Sequence, residues 1–432
     1  MSYNVFFISL GCAKNQVNCE QMMATVQHAG HNIVLSPEGA DVAVVNTCGF
    51  LASACEEAID NILEMAELKQ EGGLKKIIVT GCMAQRYKDD VLRELPEVDA
   101  VLGTGSYGDI ALALDEVMSG AAPRPCHMGD IHHCPQGGAR ILSTPPWYAY
   151  LRIAEGCDNC CAYCVIPHLR GRYRSRPMAE LLDEASELAS AGVKELIVIA
   201  QDITRYGTDF NGEHQLPALL RELCKMDFTW IRLHYLYPDQ ITDELIDVIA
   251  DEPKIVKYLD IPLQHVSKRI LRAMHRPGDG AEFTRLIENM RERIPGLVLR
   301  TSLIVGLPGE TEDEFTQTLA FLERCAFASV HVFPYSVREG TKAAAMPGQL
   351  DQQTKTARAE RAKQVAETLS TAYRKQFVGR TLYALPEHPT GGLWAAHGRY
   401  GFPVYIEDKA EKNHPVTVKV IGLHKDGVLA KI

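Results

Sequence analysis

Short runs of aliphatic and β-branched residues, each stopping at a cysteine and followed by a helical pattern, constrain this chain more than any other feature. Val5-Phe6-Phe7-Ile8-Ser9-Leu10 leads into Gly11-Cys12, Asp41-Val42-Ala43-Val44-Val45-Asn46-Thr47 into Cys48, and Lys76-Ile77-Ile78-Val79-Thr80-Gly81 into Cys82. Runs of this kind alternating with helical patterns predict a parallel sheet. The gaps of 36 and 34 residues between the cysteines match one βα unit each. All three would then fall at the carboxyl ends of strands, the edge where open α/β sheets place their ligands.

Cysteine is often a small, buried and inert hydrophobe. That reading suits one such residue better than three at the same structural position, so Cys12, Cys48 and Cys82 are expected to ligate an iron–sulfur cluster. Cys19 and Cys55 each lie seven residues after a candidate ligand, on what should be the following helix, and Cys224 and Cys325 sit in helical patterns. These four are expected to be packing residues. Cys126-His127 with His132-His133-Cys134 offers metal-binding side chains, but in a loop-like stretch before a Pro-Gly-Gly linker, so a metal there is the lesser reading.

A second group is local. Cys157, Cys161 and Cys164 read C-x₃-C-x₂-C directly after the strand-like run Tyr150-Leu151-Arg152-Ile153-Ala154. Three thiolates can hold three corners of a four-iron cluster, and because four ligands are usual, one iron stays open. Tyr163 places a ring beside it. Cys160 leaves other pairings in play, since Cys157–Cys160 and Cys161–Cys164 are both C-x₂-C units suited to zinc or to a disulfide. Four cysteines so crowded would strain a single zinc site.

At 432 residues, two or three domains are expected. Thirteen cysteines without an export pattern at the N-terminus argue for a reducing cytoplasm and metal ligation over a disulfide scaffold. No apolar run approaches the roughly 20 residues of a membrane helix. A net charge of −10 disfavours a general nucleic-acid binder and suits a basic partner.

From about residue 146 a β/α alternation repeats six times. The expected strands are Tyr148–Ala154, Glu195–Ala200, Trp230–Leu236, Lys257–Pro262, Val298–Val305 and Ser329–Phe333. The expected helices are Met178–Ala191, Leu216–Met226, Asp243–Ala250, Ala281–Ile294 and Glu312–Cys325, the last opened by a capping box, Thr311-Glu312-Asp313-Glu314. Six such units predict an incomplete (β/α)6 barrel with its chemistry at the carboxyl ends of the strands. On that rim Gln201 and Asp202 offer an amide and a carboxylate, and Gly306 and Gly309 let backbone approach a ligand closely. Gln264 and His265 end the fourth strand aimed at the cavity, with His265 equally readable as a core histidine. The basic run Arg170-Gly171-Arg172-Tyr173-Arg174-Ser175-Arg176 reads first as a solvated loop, and second as a source of arginines for a ligand carboxylate.

In the tail, Val365, Leu369, Tyr373 and Phe377 mark one helix face. Strand-like pieces such as Val416–Val420 and Gly427–Ala430 then predict a small β-barrel, a common shape for recognising RNA or protein. Residues 371–432 carry nine Lys/Arg against five Asp/Glu, a mild basic tilt. The fold class is therefore α/β: an N-terminal parallel α/β domain over 1–135, a central incomplete barrel over 143–375, and a C-terminal β domain over 376–432.

The C-x₃-C-x₂-C spacing with an aromatic before the third cysteine resembles the radical S-adenosylmethionine (SAM) superfamily. With the N-terminal cysteine trio and the β-tail, essentially the whole chain resembles the methylthiotransferases. Ser9-Leu10-Gly11-Cys12-Ala13-Lys14-Asn15, Tyr235-Leu236-Tyr237-Pro238, Asp260-Ile261-Pro262-Leu263-Gln264-His265 and Arg300–Glu310 are similar to their ribosomal-protein branch. The resemblance implies a TRAM-like tail and two 4Fe–4S clusters, one on Cys157, Cys161 and Cys164 binding SAM, the other on Cys12, Cys48 and Cys82 delivering sulfur. Tyr163, Gln201, Asp202, Gln264, Gly306 and Gly309 would surround the cofactors. An electron from a flavodoxin- or ferredoxin-like donor would cleave SAM to a 5′-deoxyadenosyl radical, which takes hydrogen from the β-carbon of an aspartate in ribosomal protein S-twelve. An unactivated C–H bond resists side-chain acid–base chemistry, so a cofactor must supply the radical. The alternative within this fold is a transfer-RNA methylthiotransferase acting on a modified adenosine. The basic tail and arginine run favour it; the acidic whole and Gln264-His265 disfavour it. A non-enzymatic metal-binding or redox-sensing module is the rival from another class.

Overall fold

In the computed structural model, which describes residues 1–133 and 136–432, the apolar runs become strands with little change of boundary. β1 (Asn4–Ser9), β2 (Asn32–Val34), β3 (Val42–Thr47), β4 (Lys76–Gly81), β5 (Ala100–Leu102) and β6 (Cys126–His127) form one parallel sheet in the order β2-β1-β3-β4-β5-β6. The middle strands are buried on both faces, Val42 and Val44 in one core and Ala43 and Val45 in the other. That double burial is why these runs are continuously apolar. Adjacency is what matters for function: β1, β3 and β4 are direct neighbours, with Val44 standing between Phe7 and Ile78. The chain returns through helices Ala13–His28 and Ala52–Gln70 after β1 and β3. After β4 the return is broken, because Tyr87 leaves helical backbone between the short helices Cys82–Arg86 and Lys88–Glu94. Position 135, the expected end of the first domain, and Cys134 of the Cys/His group lie outside the described residues.

β7 (Tyr148–Arg152) opens the central region, and a small antiparallel ribbon of β8 (Ala154–Glu155) and β9 (Arg174–Ser175) follows. Then come β10 (Glu195–Ile199), β11 (Trp230–Leu233), β12 (Ile255–Asp260), β13 (Val298–Val305) and β14 (Ser329–Pro334). Six parallel strands lie in sequence order, β14-β13-β12-β11-β10-β7, an open sheet rather than a closed barrel. Helices Met178–Ser190, Leu216–Cys224, Asp243–Asp251, Gly280–Arg293 and Glu312–Cys325 cover its outer face. The Thr311–Glu314 capping box forms as read. Two expected strands are shorter than their apolar runs. Trp230–Leu236 stops at Leu233 because Tyr235 is left-handed, at φ +68°. Tyr148–Ala154 breaks at Ile153, where the chain turns into the ribbon and folds the basic run back beside the cysteine triplet.

The inner face of this sheet is filled from the N-terminal region. Val17, on the first helix, packs against Ile197 and Ile199 of β10. Beside it Arg152 of β7 bonds Asn18 and pairs with Glu155 at 2.9 Å, and Arg140 pairs with fully buried Glu20 at 2.7 Å. The two α/β regions therefore share one core seam.

The long helix Gln352–Lys375 lays Ala359 and Ala362 on Val305, Val332 and Phe315. Of the expected helix face, Val365 and Leu369 join the central core, while Tyr373 and Phe377, the latter already past the helix end, pack into the tail. There β15 (Thr381–Thr390), β16 (Leu393–Gly398), β17 (Val404–Ile406), β18 (Val416–His424) and β19 (Gly427–Lys431) close into a barrel. The barrel docks on the amino ends of the central strands. His397 bridges Glu195, the first residue of β10, and Glu387 of β15, at 2.6 Å each. Arg232 donates to Gly398 O at 3.0 Å, and a Cβ at Gly401 would stand 2.0 Å from the Tyr258 ring. Among the described residues no helix is long and apolar enough to cross a membrane.

Candidate active site

Cys12, Cys48 and Cys82 each follow one of three adjacent strands, and the turns that carry them touch. A Cβ at Gly11, whose φ is +94°, would lie 2.8 Å from the Cys48 Cβ and 3.3 Å from its Sγ. A Cβ at Gly49 would meet the Cys82 backbone at 2.7 Å, so only glycine lets these loops close on one another. Asn15 knits the group. Its Nδ2 donates to Leu10 O at 3.0 Å and Thr47 O at 2.8 Å, and its backbone O accepts from Asn46 at 2.8 Å. Its Oδ1 accepts from Arg170 Nη2 at 2.5 Å, and the same nitrogen reaches Cys82 Sγ at 3.2 Å. Cys12 is solvent-accessible yet deeply surrounded by protein, as a residue lining an open recess is. Burial pushes the Cys48 and Cys82 thiols up. At Cys12 the same burial is outweighed by Lys14, Arg170 and two backbone amides, and its pKa is lowered.

The second trio lies on one loop after β7, at the carboxyl end of the central sheet. Burial pushes Cys157 up to about 12 and Cys164 up to about 11, each thiol also feeling the charge of the others. A thiol raised this far is neutral at pH 7, and a metal bound to its sulfur displaces the proton. Cys161 is held from the far side of the sheet mouth: Tyr237 Oη lies 3.2 Å from its Sγ, and Arg276 Nη1 lies 3.9 Å from it. Arg276 also stacks on the Tyr237 ring at 4.2 Å. Tyr163 packs with Cys161, Ile304, Leu307 and Tyr335 in an apolar cluster that shields the loop from water.

The two trios are brought side by side. Cys82 shares a cluster with Val165 and Leu169 on the helix Ile166–Arg170, which begins two residues after Cys164. Arg338 spans the same gap, donating to Phe50 O and Tyr163 O at 3.0 Å each and covering the Phe50 ring at 4.1 Å. Arg170 also pairs with Glu155 at 3.2 Å, and Glu155 in turn holds Gln201 and the Gly156 amide. Burial would raise the Glu155 carboxyl, but Arg170 and Arg152 outweigh it and keep it charged.

The other expected rim residues divide. Gln201 stands beside the triplet loop with its Oε1 buried and unpartnered, and Asp260 Oδ1 is likewise without a partner. Gln264 takes a left-handed backbone, φ +71°, as do Cys160 and Tyr235 on the same rim, a concentration of strain typical of functional sites. Asp202 is spent locally on Thr204, on Asn159 at 3.1 Å and on Arg205 at 3.3 Å. The side on which Gly306 lacks a Cβ is filled by Lys355 at 2.7 Å, and the Gly309 amide bonds Gly348 O at 2.8 Å. His265 is fully buried, bonding Glu310 at 3.0 Å and accepting from the Ser267 amide, so it is a core histidine that bolts the Gly306–Glu310 turn. The arginine run is solvated only in part: Arg172 is exposed, whereas Arg170 and Arg176 are each 3% exposed and paired with Glu155 and Glu184. In the Cys/His stretch His127 pairs with Glu116 and His133 with Asp130. Sequence reasoning missed Asn15, Glu155, Tyr237, Arg276 and Arg338, whose partners lie in distant segments; only the SLGCAKN and YLYP motifs singled out any of their positions.

The donor sets fit iron–sulfur chemistry: all six thiols are free, they form two groups of soft ligands, and the unpartnered Gln201 Oε1 borders the triplet. Residues 4–103 match the model described as Uncharacterized protein family UPF0004, and residues 151–322 match the Radical SAM superfamily. The fold is shared with the radical SAM methyltransferase TsrM of Kitasatospora setae, at TM-score 0.57 and 14% identity over 90% of this chain and 79% of that one. Fold and site together define a radical SAM enzyme. The "Ribosomal protein uS12 methylthiotransferase RimO" of Anaeromyxobacter sp. (strain K) is 48% identical over 390 residues, 90% of this chain and 82% of that protein. The protein of the same description from Myxococcus xanthus (strain DK1622) is 43% identical over 99% of this chain and 91% of its own length. The chain belongs to this radical SAM methylthiotransferase family.

Proposed function

We propose that this enzyme adds a methylthio group to the β-carbon of an aspartate in ribosomal protein uS12. The observation that carries the proposal is the second cysteine trio packed against the first, since attaching sulfur needs a second metal centre within reach of the radical centre. Cys157, Cys161 and Cys164 hold the 4Fe–4S cluster that binds SAM, and Cys12, Cys48 and Cys82 hold the other. When bound, the first cluster would relay the donor's electron, SAM would supply the hydrogen-abstracting carbon and, from a second molecule, the methyl group, and the second cluster would supply the sulfur.

The chain's own residues bind, orient and seal. Tyr237 and Arg276 hydrogen-bond Cys161 and so tune its thiolate. Asn15 and Arg170 fix Cys82 relative to Cys12 and Cys48. Tyr163, Gln201 and Gln264 line the SAM side, the Gly306–Gly309 turn being closed by Lys355 and Gly348, and Asp202 acts one step removed by holding Asn159 of the cysteine loop. The apolar cluster around Cys161 keeps water from the reacting carbon. A flavodoxin- or ferredoxin-like protein donates the electron, and the reaction takes place in the cytoplasm. An acidic enzyme and a basic ribosomal protein attract each other.

Mass spectrometry of ribosomal proteins and of digested transfer RNA from a deletion strain tests this. The methylthio group should vanish from uS12 alone. Its loss from transfer RNA, with uS12 unchanged, would establish the nucleic-acid substrate instead.

A further inference from the structure

We infer that Lys14 is the residue that grips the side-chain carboxylate of the target aspartate and so makes the enzyme specific for an acidic residue. The inference deepens the proposed function and rests on its substrate. The arginines around the two trios are already engaged. Arg170 is bound by Glu155, Asn15 and Cys82, and Arg338 by the Phe50 and Tyr163 carbonyls. Arg276 donates to Pro262 O at 2.7 Å, Arg86 to Gly49 O at 3.1 Å, and Arg300 is shared between Asp260 at 3.4 Å and His331 at 3.1 Å. Lys14 differs. It is 9% exposed and, among the described residues, makes no ion pair, its charge being supported at longer range by Cys12 and Glu155. Its Nζ rests 3.6 Å above the Tyr235 ring, on the left-handed turn that follows β11.

Cys12 and Glu155 support this charge from beyond hydrogen-bonding distance, so the ammonium keeps its N–H donors for a carboxylate that reaches it directly. Its place suits the reaction. Lys14 is on the first turn of the helix capped by Cys12. From there the side chain reaches Tyr235 at the mouth of the central sheet while its charge still acts on Cys12. A carboxylate on Lys14 is therefore held between the two trios, and the aspartate β-carbon is one bond from that carboxylate. An amide in its place would form a weaker, uncharged hydrogen bond.

The test uses the anaerobically reconstituted full chain and a uS12 fragment carrying either the target aspartate or asparagine at that position. Wild-type enzyme should bind the aspartate form about 10- to 100-fold more tightly. Lys14→Met should weaken the aspartate form by that factor, leave the asparagine form nearly unchanged, and bring the ratio to about one; Lys14→Arg should keep a preference. Retained binding of the asparagine form shows that the variant is folded. A Lys14→Met enzyme that keeps its discrimination, whether or not it loses iron, would overturn the inference and leave Lys14 as a counter-charge for the Cys12 site. Equal wild-type binding of both forms would also overturn it. Failure of wild-type enzyme to bind either form would instead remove the uS12 reading on which it rests.

Discussion

The two cysteine trios, each proposed to hold a cluster, are assembled by opposite structural routes. Cys157, Cys161 and Cys164 occupy one loop, so their proximity is a property of the chain. Cys12, Cys48 and Cys82 are separated by 36 and 34 residues and meet only because β1, β3 and β4 are adjacent. The first needs second-sphere groups such as Tyr237 and Arg276 to tune it. The second needs Asn15, Arg170 and the close approach at Gly11 and Gly49 simply to exist. A local metal site tolerates distant damage; a dispersed one inherits every weakness of the sheet that assembles it.

The comparison breaks most sharply on the cysteines themselves. Cys157→Ala should abolish release of 5′-deoxyadenosine from SAM after reduction, whereas Cys12→Ala should keep it and lose only methylthio transfer, as chromatography of the products would show. If Cys12→Ala stopped SAM cleavage and spared sulfur transfer, the two roles would be exchanged. Next in size, Asn15→Ala strips the hydrogen bonds that join Leu10, Thr47, Cys82 and Arg170. Each buried group left unpaired costs about 1–3 kcal/mol. Iron counting should therefore fall from about eight atoms toward about four, with the triplet site retained.

A control sits at the opposite end of the strands. His397 is held by Glu195 and Glu387, and although burial opposes its charge these partners raise its pKa to about 9 from 6.5. A raised histidine stabilises fully below its unfolded value, near pH 6.5, and that stabilisation disappears as pH rises through about 9. The difference corresponds to at most about 3 kcal/mol. Melting temperature should drop between pH 6.5 and 9.5 more steeply in wild type than in His397→Gln. The iron content of both should stay equal, since the barrel docks away from either trio. The smallest effect belongs to Tyr237→Phe, which removes one hydrogen bond to Cys161, about 0.5–1.5 kcal/mol. The midpoint potential of the triplet cluster should shift by on the order of tens of millivolts, read by electron paramagnetic resonance during redox titration, with the second cluster unmoved.

Much of the fold is legible in the residues. Val298–Val305 and Glu312–Cys325 run between the residues their patterns indicate, because a doubly buried strand and a capped amphipathic helix are both decided locally. Tyr235 and Ile153 were not legible: each ends a strand inside an apolar run through backbone geometry imposed by neighbouring segments. The arginine run shows the limit most plainly. As a string of charges it reads as solvated, and only the folded chain supplies Glu155 and Glu184 as partners that make burial affordable. His265 is the converse, a histidine at a rim that the fold uses as a bolt beneath the glycine turn.

By itself the sequence determined the periodicities, hence the parallel layers, and the ligand chemistry, because hydrophobic period and cysteine spacing are properties of consecutive residues. Tertiary structure alone decided that two trios stand side by side, that Arg170 and Glu155 tie them together, and that Lys14 meets the Tyr235 ring. Those are relations between segments far apart in the chain, and they arise only when burial of the shared core brings the segments into one place.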